Sequence, residues 1–216
     1  MRVDLHCHTC HSPDSLLTLD ALLRQMDLRR IDVVAITDHD TISGARAFHA
    51  RAPDRILIGE EIKTTQGELL ALFIEDEIPS GLSPEGTIEQ VQAQGGLVGA
   101  PHPFDRLRGP GLDQEDLELL YRQLDFLEVF NARVVRAADN DLARAFAARC
   151  GLPGSAGSDA HAPFEVGRAY VEMEPFDDPE SFLASLAQGE IVGRLSQPLV
   201  HSYSTYARWR KRLRVR

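Results

Sequence analysis

The chain is poor in the residues that build secreted or membrane-embedded proteins. Of its 216 residues only three are cysteine. That is too few for a disulfide framework, so a reducing compartment is expected. No apolar run approaches the roughly 18 residues that a membrane span needs. The opening Met-Arg-Val-Asp-Leu-His enters a strand-like alternation at once. It carries no apolar core of a signal peptide, so a cytoplasmic location is expected. Aromatic residues are scarce at 6%, with one tryptophan; Trp209 reads as a packing anchor for a C-terminal helix. Positive charge is also in deficit, 23 Lys and Arg against 33 Asp and Glu for a net −10. This disfavours strong nonspecific binding to nucleic-acid backbones. Basic charge concentrates in 208–216 (RWRKRLRVR), whose six positive charges leave the remainder at −16. Such a run reads as a solvated helix end or frayed tail. It is the one segment expected to offer an electrostatic contact to RNA, an anionic lipid or an acidic partner.

What is present is the alternation of an α/β domain. Short β-rich runs at 3–8, 32–37, 56–62, 69–74, 97–100, 126–130, 155–157, 170–173 and 191–195 are separated by amphipathic stretches. Several, such as DVVAIT and RILIG, are nearly all apolar, as parallel strands buried on both faces are. Thr18 can cap a helix whose Leu19, Leu22, Leu23 and Met26 share one face. Ser83-Pro84 opens a second helix that Gly95 ends, and Asp178-Pro179 opens a third that buries Phe182, Leu183 and Leu186 before Gly189. With no repeat and no linker-like stretch, residues 1–216 are expected to form one domain, a barrel or a doubly wound sheet.

The chemistry-bearing residues fall at the ends of these strands. In DLHCHTCHSPDS, His6 and His8 project to one face of a strand and Cys7 to the other, and paired imidazoles chelate Zn, Mn or Fe. DVVAIT stops at Asp38-His39-Asp40. Glu60 and Glu61 follow the strand from Ile56, and His102 follows the strand from Leu97. Glu128 and Asn131 close the strand from Phe126, and Ser158, Asp159 and His161 follow Ser155. Metal-capable groups thus stand after six strands, at the end where α/β folds place their sites. Five of the eight histidines, His6, His8, His39, His102 and His161, occupy these positions.

In order and spacing, DLHCHT, TDHD, GEEI, PHP and GSDAH resemble the motifs of the PHP (polymerase and histidinol phosphatase) superfamily. An S-x-P-x-x-H segment at 196–201 follows. The resemblance implies a single distorted (βα)7 barrel holding two or three Zn, Mn or Fe ions at the C-terminal ends of its parallel strands. Carried over by position, His6, His8, Glu61 and Asp159 would hold one ion. Glu61 would bridge to a second ion shared with His102, and Asp14, His39 and His161 would hold a third. Glu61 rather than Glu60 follows from the family's G-x-E spacing. Where members often supply a further histidine, this chain has FNAR, which makes Asn131 the nearest ligand.

These residues imply a phosphoric ester hydrolase. Metal-activated hydroxide would attack a phosphate monoester or diester of a small metabolite or nucleotide. Arg133 is the expected phosphate clamp, with Arg168 and His201 as further substrate contacts, and His161 or His39 would protonate the leaving oxygen if not fully committed to metal. The alternatives are an amidohydrolase-type C–N hydrolase using the same cluster and a non-catalytic metal-binding module. No membrane partner is expected. Residues 104–116 are the longest expected loop and would cover the site.

Overall fold

The computed structural model describes residues 1–105, 107, 112 and 114–214. Each expected strand is present within a few residues of its expected bounds: β1 (Arg2–Cys7), β2 (Val33–Ile36), β3 (Ile56–Thr64), β4 (Gly67–Leu72), β5 (Leu97–Ala100), β6 (Phe126–Asn131), β7 (Gly154–Gly157), β8 (Ala169–Glu172) and β9 (Glu190–Gly193). The helices are α1 (Leu19–Arg29), α2 (Ser43–His49), α3 (Pro84–Ala93), α4 (Gln114–Leu120), α5 (Ala137–Cys150), α6 (Pro179–Leu186) and α7 (Val200–Arg214). The expected caps are made: the side chains of Thr18, Ser83 and Asp178 accept from the backbone N–H of Ala21, Gly86 and Ser181, saturating donors that a helix start leaves open.

The strands form one sheet in the order β7-β6-β5-β4-β3-β2-β1-β8-β9. It curls until β7 meets β1, where the Asp159 N–H donates to the His6 carbonyl and the His8 N–H to the Ala160 carbonyl. The result is a nearly closed α/β barrel, with β8 and β9 pairing on beyond β1 and packing back against β7 and β6. Around it, β1 to β3 and β5 to β7 run in one direction. A regular (βα)7 repeat is not followed. β4 is antiparallel to both its neighbours and joins β3 through a tight turn with no helix between them. That reversal brings the start of β4, rather than its end, to the same rim as the ends of the parallel strands.

Three apolar layers fix this arrangement. Val3, Leu5, Val33, Leu70, Phe126 and Ala156 pack with Phe182 of α6 in the barrel interior. Cys7, Leu22, Met26, Val34 and Ile36 seal α1 and α2 against the outside. Ile62, Ile88, Val98, Leu117, Leu127 and Phe146 do the same for α3 to α5. Among the described residues no helix is long and apolar enough to cross a membrane.

Candidate metal centre

The rim of the barrel is built by departures from regular alternation. In β1 the pairing with β2 shifts between Asp4 and Cys7. Val3 and Leu5 therefore face the interior and Cys7 faces the helices, while His6 and His8 turn inward, fully buried. Register shifts of this kind re-aim side chains at strand ends. In β3, Ile56 and Ile62 pack outward, so Glu61 faces inward and Glu60 outward. Glu60 Oε2 accepts the Ile78 N–H at 3.0 Å; burial with no cation beside it raises its pKa to about 8. Asp40, His102 and Asp159 take positive φ of 53°, 28° and 50°, a region that side-chain-bearing residues rarely occupy. Hydrogen bonds hold the last two there: His102 N–H donates to Glu128 Oε2 at 2.7 Å, and Asp159 N–H to the His6 carbonyl at 2.7 Å.

The inward donors converge. His6 Nε2 lies 3.4 Å from Glu61 Oε2 and 3.1 Å from His8 Nε2. His8 Nε2 is 3.3 Å from both Glu61 Oε2 and Asp159 Oδ1. Asp14 Oδ2 lies 3.5 Å from His39 Nε2 and 3.3 Å from His161 Nε2. His39 Nδ1 and His102 Nε2 reach the two oxygens of Glu61 at 3.0 and 3.1 Å. Four tetrahedral ligands around an ion at roughly 2.0–2.2 Å are themselves roughly 3.3–3.6 Å apart. The triad of His6, His8 and Glu61 comes close to that spacing, and His8, His39 and His161 bring ring nitrogens within 4.8 Å of one another. The chemistry of the set fits as well. Asp14 Oδ1 is buried without a hydrogen-bond partner, and two buried imidazoles present Nε2 to one another.

Outer groups orient the donors. His6 Nδ1 lies 3.1 Å from Glu128 Oε1, which fixes the proton there and turns the Nε2 lone pair inward. His8 Nδ1 faces Ser12 Oγ at 3.2 Å. Burial, with His161 and His39 alongside, lowers the His8 pKa to about 3, so the ring is neutral and its lone pair available. Burial pushes the His6 pKa down, but Glu128, Glu61 and Asp159 override it and hold it well above the usual value. Glu61 is driven well below the carboxylate range by His6 and His39, which overcome its burial.

Four expected residues have surroundings that the sequence does not show; of them Arg133 and His201 line the cavity over the centre. Asn131 is buried beside the centre, but its Nδ2 donates to Glu128 Oε2 at 3.0 Å and Asp159 Oδ2 at 3.2 Å. Its Oδ1 accepts the Arg133 N–H at 2.8 Å, which fixes the amide's orientation, so its ligand-capable oxygen is engaged with backbone. Arg133 is 3% exposed and committed. Its guanidinium donates to the Asp159 carbonyl at 3.3 Å and Ser204 Oγ at 2.8 Å, lies against His161 Nδ1, and sits 3.3 Å from Glu165 Oε1. Arg168 donates to the Leu195 carbonyl at 3.4 Å and does not line the cavity over the centre. His201 does line it. The expected covering loop lies partly outside the described residues (106, 108–111 and 113). Within it, Leu107 lines the cavity and 114–116 belong to α4.

Two residues were not foreseen. Glu68 stands at the beginning of β4, grouped with Glu61 and His102, because β4 runs backwards. Arg208 comes from α7, and its Nη2 donates to Asp14 Oδ2 at 2.8 Å. Lys211 Nζ donates to the Cys10 carbonyl at 2.7 Å and to that of Ser12. Within the described part of the basic run, Arg208 and Lys211 are therefore docked along the site. A cavity of about 470 Å³ remains over the centre, walled on one side by His201, Thr205 and Arg208.

The chain belongs to the PHP domain family. The PHP domain model matches residues 4–120 and the PHP-associated model residues 137–191. Two relatives are uncharacterized proteins of Methanocaldococcus jannaschii. One is 41% identical over 61% of this chain and 82% of its own length; the other is 33% identical over 97% and 89%. Among solved structures, a candidate metal-dependent phosphoesterase from Bifidobacterium adolescentis superposes with a TM-score of 0.64 at 21% identity, covering 87% of this chain and 96% of that one. The lesion-specific endonuclease EndoQ of Pyrococcus furiosus superposes with a TM-score of 0.69 at 20% identity, covering 91% and 59%. These likenesses show the same barrel.

Proposed function

We propose that this chain is a metal-dependent hydrolase of phosphate esters, acting on a small phosphorylated metabolite or a nucleotide end. The observation that carries the reading is the convergence of His6, His8, Asp14, His39, Glu61, His102, Asp159 and His161 beneath one cavity, with a guanidinium on its wall. Two or three Zn, Mn or Fe ions would be held by those eight side chains, with Glu68 beside Glu61 and His102. Such ions supply a water of lowered pKa and neutralise phosphoryl charge.

The chain's own groups supply the rest. Arg208, in place of Arg133, is the cation that meets the phosphoryl oxygens: both border the cavity, but Arg208 is 56% exposed and Arg133 is held by Glu165, Ser204 and the Asp159 carbonyl. His201 stands one helical stretch away on the same wall. Arg133 acts as a positioning residue that holds His161 and the start of α7. His39 is the most exposed imidazole of the group, at 25%, and its Nε2 faces the cavity side of Asp14. Where it does not ligate an ion it is placed to pass a proton to the leaving oxygen, with His161 as the more buried partner under the same condition. Asn131 and Glu128 keep Asp159 and His6 aimed inward.

The test is phosphate release across nucleotides, sugar phosphates and phosphoamino acids, with amides and lactones alongside. Activity should vanish after dialysis against a chelator and return with Zn, Mn or Fe. Full phosphoesterase activity in protein shown to be metal-free would refute the reading.

A further inference from the structure

Four aromatic rings follow one another along the surface beside the cavity. Phe164 meets Tyr203 edge to face at 5.9 Å, Tyr203 meets Tyr206 at 6.4 Å, and Tyr206 meets Trp209 at 6.2 Å. Three of these residues are exposed: Phe164 and Tyr206 at 47% and Trp209 at 59%. Trp209 is therefore no packing anchor. Rings that meet edge to face or tilted and stay open to water leave apolar faces uncovered, and such a surface marks a contact site.

Charge identifies the partner. On the helix Arg210 lies four residues from Tyr206 and Arg212 three from Trp209, so both flank the rings, while Arg208 turns to Asp14 at the cavity; outside 208–216 the chain stands at −16. Trp209 lies four residues after Thr205, which lines the cavity. The stripe thus starts on the 163–165 segment and ends at the mouth of the metal centre. A lipid surface calls for one unbroken apolar face with cations along its border, whereas here guanidiniums interrupt the rings. Alternating planar rings and guanidiniums match a single-stranded nucleic acid, whose bases stack on aromatic faces while its phosphates meet arginines.

We propose that this face of α7 is a track for single-stranded nucleic acid, with bases on Tyr206 and Trp209 and phosphates on Arg210 and Arg212, leading a strand end toward Arg208 and the cavity. Only the delivery to the cavity rests on the phosphoesterase reading; the binding does not.

Trp209 is the only tryptophan, so its emission reports on the track directly. The full chain, metal-loaded, is titrated with a phosphorothioate thymidine oligonucleotide of about twelve nucleotides, which resists hydrolysis. Saturable quenching is expected. Two phosphate contacts predict an affinity loss of about 7-fold between about 50 and 200 mM salt. Anisotropy of a labelled oligonucleotide should show about tenfold weaker binding for Trp209→Ala and for Tyr206→Ala, with Trp209→Phe restoring it, since a ring and not its bulk is required. The proposal is overturned if the oligonucleotide leaves Trp209 emission unchanged. It is equally overturned if phosphatidylserine vesicles quench where the oligonucleotide does not, or if emission tracks protein concentration, as burial between two copies would make it. Failure of the phosphoesterase reading would appear in phosphate release from small esters and would leave this titration as it stands.

Discussion

Gly157 closes the barrel where β7 passes His6, and the geometry there gives a sharp test of how the centre is held. A Cβ added at Gly157 would lie 2.2 Å from the Cβ of His6 and 2.7 Å from Glu128 Oε1. Ordinary contact begins near 3.4 Å, so Gly157→Ala forces a movement of about 1.2 Å on His6 or on β7. Ligand distances tolerate about 0.2 Å, so the displacement falls on the metal site as well as on packing. Overpacking should cost about 1–3 kcal/mol of stability, or about 3–10 °C in Tm for a chain of this size. Misplacing His6 and its partner Glu128 should lower metal affinity by at least about tenfold and kcat/KM by about 100-fold. Calorimetric titration with Zn or Mn, thermal melts of chelated protein and phosphate-release kinetics read the three effects separately. Gly86→Ala is the control: it lies in α3, its added Cβ meets nothing closer than 3.5 Å, and it should stabilise by up to about 1 kcal/mol. Wild-type metal affinity in Gly157→Ala would refute the argument, because it would mean that His6 does not need the position seen here.

Asn131→Asp replaces a donor to two carboxylates with a third carboxylate, and should weaken metal binding by about 10–100-fold in a competitive chelator titration; unchanged affinity would return Asn131 to a ligand role. Arg208→Gln removes a charge-assisted hydrogen bond worth about 1.5–3 kcal/mol, so KM for a phosphate ester should rise at least about tenfold with kcat less affected. An unaltered KM would take Arg208 out of substrate binding. Glu60 is outside the centre, and burial raises its pKa from 4.5 to about 8. The fold therefore keeps a proton that the unfolded chain releases, so the contribution of Glu60 to stability is fullest below pH 4.5 and is lost as pH rises toward 8, by at most about 5 kcal/mol. Glu60→Gln should remove that decline and raise Tm at pH 8.5 far more than at pH 5; parallel pH–Tm curves for the two proteins would show that Glu60 ionises freely.

How far the site could be read from the sequence depends on which physical information is local. Strand positions were legible because burial on both faces writes itself as apolar runs such as DVVAIT, and because Thr18, Ser83 and Asp178 mark helix starts by their own side-chain chemistry. The gathering of His6, His39, Glu61, His102 and Asp159 followed from one geometrical rule, that parallel strands share an end. The same rule concealed Glu68, since it assumes the direction of each strand and β4 runs against it; Gly67 and the short connection from Thr64 were the available signal for a hairpin. Strand parity could not separate Glu60 from Glu61, because both faces of β3 are covered by apolar layers. Asn131 and Arg133 were placed at the site by position, but an amide can present an oxygen or an NH2 group, and a guanidinium serves substrate only if Glu165, Ser204 and the Asp159 carbonyl leave it free. Those partners lie up to 71 residues away. The basic run shows the limit most clearly. Its charge is visible in 208–216, but its direction depends on Ser204 reaching Arg133 and Lys211 reaching the Cys10 carbonyl. That docking sets Arg208 against Asp14 across 194 residues and turns an apparent tail into a wall of the site.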